Sequence, residues 1–197
     1  MGLISNGTTI FNNGAMASTI GSAMKLVSAS TASSSSRISF TLSTEKEYMF
    51  YFVNMHPQTN AVKFTYQVST DGSSYGITHT NTYVNAYHNE AGSGSALNYE
   101  AVADSAQTTN EVELVREDKM SSDNDHSCCG FLHLFDPSNT TFVKHYIART
   151  NNTHESEYTM DSYISGYFNT TSALTNIRFK MSSGNIDAGK ILMYSLS

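Results

Sequence analysis

Three short stretches of this 197-residue chain gather side chains that could do chemistry. In SSDNDHSCCG, Asp123, Asp125 and His126 stand just before the adjacent Cys128 and Cys129, a set of oxygen, imidazole and sulfur atoms that a divalent cation could use. The spacing argues against a metal site. Zinc centres separate their cysteines by two or more residues, and the stretch has neither the glycine at the sixth position nor the distant glutamate of a helix-loop-helix calcium loop. A bond between neighbouring cysteines would need a distorted ring, so both thiols are expected to be reduced, with one facing inward at the start of a strand. The stretch reads as a solvated loop, and the chain is expected to use no metal and no cofactor.

The second stretch, YVNAYHNEAGSG, holds Tyr83, Tyr87, His88 and Glu90, predicted to stand on a long loop from 83 to 107. Tyrosines displayed in this way can stack on a sugar ring or pack against a protein, and the loop could equally fold back as a lid. These four are the candidate ligand-binding residues. A third grouping, Glu90, Glu100 and Asp104, offers the carboxylates that glycoside hydrolysis uses in pairs, which raises a polysaccharide depolymerase as an alternative. With 17 acidic residues such a grouping also arises by chance, and no GxSxG, HExxH, phosphate-loop or dinucleotide fingerprint is present. No catalytic residue is assigned, and the chain is read as a non-enzyme. Among the 7 histidines, His133 and His145 sit in alternating runs and read as hydrogen-bonded sheet residues.

The elements that must position these side chains are strands. The chain has 29 serines, 22 threonines and 17 asparagines, which suit turns and exposed strand faces, and 12 tyrosines and 10 phenylalanines, which favour pleated surfaces. KLVSAST and RISFTLS read as a hairpin across ASSSS, with Ile38, Phe40 and Leu42 on one face. EYMFYFVNMHP is apolar on both sides, so it reads as a central strand covered on both faces and ended by Pro57. Phe64, Tyr66 and Val68 alternate in VKFTYQVS, and the turn DGSS predicts a hairpin into ITHTNTYV. YEAVADSAQ is the one window that suits a helical turn. EVELV, GFLHLF and TFVKHYIAR follow as strands, and TNNTHESEYTMDSY reads as a polar excursion. TNIRFKM and KILMYSL are predicted to close the chain as a hairpin whose last strand is packed inside a sheet.

Two prolines and no long amphipathic helix complete an all-β pattern. The expected architecture is a single antiparallel β-sandwich over residues 24–197, preceded by an irregular N-terminal arm over residues 1–23 suited to docking on a neighbouring subunit. A net charge of −6 with only 11 Lys and Arg leaves no basic face for a phosphate backbone, so nucleic acid is not an expected partner. No run approaches the roughly 20 apolar residues of a membrane helix, and the start MGLISNGTTIF lacks the pattern of a secretory signal, so neither membrane insertion nor export is expected.

Five segments together carry a family resemblance: KLVSASTASSSSRISFTLS, EYMFYFVNMHPQTN, FTYQVSTDGSSYG, GFLHLFDPSNTTFVKHYIAR and IRFKMSSGNIDAGKILMYSLS. They resemble virion structural proteins of tailed phages, notably phages of marine bacteria and cyanobacteria, and they cover most of the chain. Members of that group usually end the last strand on Tyr-Gly, whereas here Tyr194 is followed by Ser195. The resemblance implies a jelly-roll-like β-sandwich mounted on a virus particle and made in the host bacterial cytoplasm. It brings no catalytic residue. The role it implies is a tail-fibre or tail-appendage module for assembly and host attachment, with a capsid decoration protein as the alternative. Implied partners are other virion proteins through the N-terminal arm, further copies of the chain in a closed oligomer, and a host surface glycan or protein.

Overall fold

The computed structural model describes residues 3–5, 8–12, 15–16, 24–44 and 47–196. In chain order the strands are β1 (Leu3–Ser5), β2 (Thr8–Asn12), β3 (Ala15–Met16), β4 (Met24–Thr31), β5 (Ile38–Thr41) and β6 (Glu47–Pro57). Then come β7 (Val62–Ser69), β8 (His79–Asn89), β9 (Ser95–Tyr99), β10 (Ser105–Thr108) and β11 (Val112–Met120). The last five are β12 (Cys128–Phe135), β13 (Lys144–His154), β14 (Tyr158–Phe168), β15 (Asn176–Met181) and β16 (Ile186–Leu196). Among the described residues there is no helix, so none is long and apolar enough to cross a membrane.

Every ladder is antiparallel, and β4 to β16 form two packed sheets. The short sheet runs β11-β7-β15-β5. The long sheet runs β4-β16-β6-β12-β13-β14-β8, and β9 and β10 both pair with the outer edge of β8. One bridge, Met120 to His154, joins the two sheets where β11 turns toward β13. Within this arrangement β4-β16-β6-β12 faces β5-β15-β7-β11, and the chain changes sheet from β4 to β5, β5 to β6, β6 to β7, β11 to β12 and β15 to β16. That is jelly-roll connectivity. The strands inserted after β7 and after β12 extend the long sheet as a wing made of β13, β14, β8, β9 and β10.

This alternation between sheets overturns three predicted hairpins. β4 pairs with β16 while β5 pairs with β15, β7 pairs with β11 and β15 rather than β8, and β15 and β16 lie in opposite sheets. An arch between two sheets and a hairpin within one place the same alternating residues inward, so the local pattern is identical. The DGSS turn does form: the Asp71 carboxylate accepts the amides of Ser73 and Ser74 at 2.8 and 2.7 Å, which holds its acid far below the usual range, and Gly72 takes the left-handed φ of 78°. It redirects the chain across the sandwich.

Other expectations change as well. The 83–107 loop is replaced by most of β8, by β9 and by the start of β10, and YEAVADSAQ supplies only a turn at 101–103. The polar excursion TNNTHESEYTMDSY is the end of β13, a tight turn and the start of β14, paired in continuous register from Lys144–Phe168 to His154–Tyr158. β6 is central in its plane, with β16 and β12 on either side and Pro57 at its end, but only one of its faces is buried: Val53 on the other is exposed and Tyr51 half-buried. Parts of the predicted irregular arm are ordered as strands, since β1, β2 and β3 form their own small sheet; residues 1–2, 6–7, 13–14 and 17–23 lie outside the described residues. The strand expected at the end, β16, is indeed enclosed, between β4 and β6.

The core sits between the eight jelly-roll strands. Phe179 on β15 is its hub, with its ring centroid 5.3 Å from that of Phe52 and 5.4 Å from that of Phe50 on the opposite sheet, and Phe40, Phe64 and Tyr66 close around it. Edge-to-face and offset geometries of this kind add to the area each ring removes from water.

Candidate functional site

At one end of the sandwich the wing extends past the short sheet and leaves a cleft of about 350 Å³. Tyr87, Asn98, Arg116, His154, Ser156, Tyr158 and Met160 line it. β8, β9, β13 and β14 supply the floor, because alternate residues of a strand share a face: Met160 and Tyr158 continue the inward row of β14, and Tyr87 that of β8. Tyr87 meets Tyr158 edge-on at 5.4 Å, and His154 meets Tyr158 at 5.3 Å. Arg116 of β11 forms the wall and is ion-paired with Glu100, which is largely buried. Aromatic faces beside a guanidinium, a carboxylate, an amide and an imidazole suit a polyhydroxylated ligand, which stacks by its apolar face and hydrogen-bonds at its rim.

The four predicted ligand residues separate in space. Tyr87 lines the cleft. Tyr83 is fully buried four residues earlier on the same face, where its hydroxyl accepts the Arg116 amide at 3.2 Å and its own amide donates to Asp104 at 2.8 Å. Burial pushes its phenol pKa well up, so it is a packing residue and not a displayed one. His88 points to the opposite face of β8, exposed, with Nδ1 donating to the Asn89 carbonyl at 2.8 Å. Glu90 is exposed beyond the strand, and its amide donates to the Glu157 carbonyl at 3.0 Å.

Two of the three candidate hydrolytic carboxylates are engaged in the fold, and the third, Glu90, is exposed. Glu100 holds Arg116, and Asp104 accepts both the Tyr83 amide and the Tyr99 hydroxyl, the latter bond raising the phenol pKa of Tyr99. Of the two cysteines, both free, Cys128 faces inward and burial pushes its thiol pKa up, while Cys129 is exposed with its sulfur against Asn54. The histidines of the alternating runs behave as sheet residues: His133 meets Glu47 at 2.8 Å, and His145 lies beside Tyr167.

Beside the cleft, the loop before β12 and the β13–β14 turn bring Asp123, His126 and Glu157 together, with one ligand atom from each lying within 4.8 Å of the others. Asp125 belongs to the same rim, its carboxylate 3.9 Å from His126 Nε2. Reading the sequence reached Asp123, Asp125, His126 and Tyr87. It missed Glu157, His154, Ser156 and Tyr158, all within the stretch taken for a loop, although Tyr158, Met160 and Ile164 do share one alternating face. Compared with known families and with curated proteins, the chain matches no family model and no curated sequence.

Proposed function

We propose that this chain is a structural subunit of a tailed-phage virion, a tail-fibre or tail-appendage module that takes part in particle assembly and host attachment. The observation that supports it best is the pair of apolar rims on the long sheet. Among the described residues β4 pairs only with β16, and Met24, Leu26 and Val27 along it are exposed. At the other end, again among the described residues, β9 pairs only with β8, and Leu97 and Tyr99 are exposed. An open apolar edge is a template for association in a free monomer, and soluble domains blunt such edges with charges, prolines or bulges. In a subunit that works as many copies the same edges are contact surfaces, with the segment 1–23 as the docking arm. The cleft at Tyr87 and Tyr158 then faces outward as the place where a host glycan stacks, with Arg116, Asn98 and His154 at its rim.

The test is to image purified particles bearing a labelled antibody fragment raised against the exposed turn at residues 90–94. Label confined to the tail end supports the appendage role. Label spread over the head replaces it with capsid decoration, and intact particles with no label overturn the virion reading.

A further inference from the structure

We propose that Asp123, His126 and Glu157 form a binding site for a divalent transition cation, Zn²⁺ or Mn²⁺, that fastens the β13–β14 turn to the loop before β12. The proposal does not depend on the virion reading. His126 is the central observation: its side chain is only 8% exposed, and its Nδ1 is buried with no hydrogen-bond partner among the described residues. A buried imidazole nitrogen left without a partner loses its hydration and gains nothing in exchange, so such groups ask for a ligand. The ring is aimed at carboxylates but does not bond them: Nδ1 lies 4.0 Å from Asp123 Oδ2, and Nε2 lies 3.5 Å from Glu157 Oε2. One ion takes a single ring nitrogen, and donor atoms about 2.0–2.2 Å from a common ion lie roughly 3–3.5 Å from each other; one atom from each of the three residues already lies within 4.8 Å of the others, so rotation of the two exposed carboxylates closes the set on that nitrogen.

Both segments are held in place by contacts that do not involve the ligand atoms. In the loop, the Ser122 amide donates to Asn60, the Asp123 amide to Ser121 Oγ and the His126 amide to the Asp123 carbonyl, which also meets His56 Nε2 at 3.1 Å. In the turn, the Ser156 amide donates to His154 Nδ1 at 2.8 Å and the Glu157 amide to the His154 carbonyl, with Glu157 at a φ of 59°. That left-handed backbone is costly for a residue other than glycine, and it sets the Glu157 carboxylate on the side of His126. Two carboxylates and one neutral imidazole balance a dication, and the imidazole favours a transition ion over Ca²⁺, which takes oxygen ligands. Side-chain exposures of 66% for Asp123 and 55% for Glu157 leave an entry path and open coordination positions, and Asp125 offers a further oxygen.

Calorimetric titration of the metal-stripped full chain with ZnCl₂, MnCl₂ and CaCl₂ tests this. The expected result is one equivalent of Zn²⁺ or Mn²⁺ bound more tightly than Ca²⁺, and a rise in melting temperature on loading. Asp123→Asn and Glu157→Gln change exposed groups and leave the fold intact by circular dichroism; each should weaken binding by about tenfold or more. His126→Gln should abolish the visible absorption of the Co²⁺-loaded protein, while His88→Gln leaves affinity unchanged. Folded Asp123→Asn and Glu157→Gln proteins that bind as tightly as the parent chain would overturn the site, as would a parent chain that takes up no stoichiometric Zn²⁺ or Mn²⁺. Tighter binding of Ca²⁺ would overturn the choice of ion.

Discussion

Between β6 and β15 the interior is ring against ring, whereas between β11 and the wing hydroxyls, amides and an imidazole are buried among the apolar side chains. Phe40, Phe50, Phe52, Phe64 and Phe179 fill the first region, each at most 5% exposed. The corresponding inward rows of the wing are mixed: Tyr83 on β8, Tyr146 on β13, and Ile164 and Phe168 on β14 are buried beside His79, Asn81 and Asn85 on β8, Ser162 on β14, and Thr150 and Asn152 on β13. Thr150 Oγ1 donates to the Leu114 carbonyl at 2.6 Å, but neither amide atom of Asn85 finds a partner among the described residues. Burying apolar surface is favourable wherever it occurs, while a buried polar group is at best neutral once bonded. The jelly-roll interior therefore contributes more stability for its buried area, and the inserted strands give some of it up to polar groups set next to the cleft. The wing is joined to the jelly-roll strands of the long sheet through the β12–β13 ladder.

If that contrast holds, the largest loss comes from the aromatic hub. Phe179→Ala should cost about 3–5 kcal/mol of unfolding free energy, read from the urea midpoint at constant slope. A loss under about 1 kcal/mol would mean that the interior collapses around the missing ring and that the jelly-roll half is no tighter than the wing.

A smaller effect is expected where the wing is most crowded. At Gly166 of β14 an added Cβ would lie 2.4 Å from the Thr80 carbonyl oxygen and 2.7 Å from the Tyr146 hydroxyl. Gly166→Ala must therefore push β8 and β14 apart, at a cost of about 1–3 kcal/mol, and amide hydrogen exchange should quicken in β8, β9 and β14 before it does in β6 or β15. Equal acceleration in all strands would show that the wing does not open separately. Next in size, Thr150→Val keeps the shape of the side chain and leaves the Leu114 carbonyl with one bond fewer, at a cost of about 1–2 kcal/mol by the same measurement.

The same contrast explains what could be read in the sequence. Strands with aromatic inward rows, such as Phe64-Tyr66-Val68 and Ile177-Phe179-Met181, were legible as strands with the correct face buried. Their partners were not, because connectivity across a sandwich leaves no local trace; every misassigned hairpin joins one sheet to the other. In the wing the starts of β8 and β13 were legible as strands, but their far ends and β9, β10 and β14 were not. Thr150, Asn152 and His154 occupy inward positions of β13 but are polar, so period-two hydrophobicity vanishes there. The cleft suffered most, since Tyr87, Asn98, Arg116 and Ser156 come from separate segments, and only Tyr87 carried a signal of its own.

The smallest effect tests the outer face of the wing, where chemistry is again polar but solvent is near. Arg149 of β13 grips Asp161 of β14 by two bonds, Nε to Oδ1 at 2.9 Å and Nη2 to Oδ2 at 2.6 Å, and the Tyr163 hydroxyl donates to the same carboxylate at 3.1 Å. The guanidinium, opposed in part by burial, holds the Asp161 carboxyl below its ordinary pKa. A carboxyl whose pKa is lower in the folded chain stabilises the fold above its unfolded value, and that contribution is lost as pH falls through the folded value. Because Arg149 is half exposed, solvent screening keeps the gain small. Asp161→Asn should therefore lower the urea midpoint slightly at neutral pH, and the gap from the parent chain should close as the solution is acidified below the usual carboxylate range. A gap that persists unchanged in acid would trace the loss to the Tyr163 bond and strand packing instead, which would make the outer face of the wing, like the jelly-roll interior, a matter of contact and not of charge.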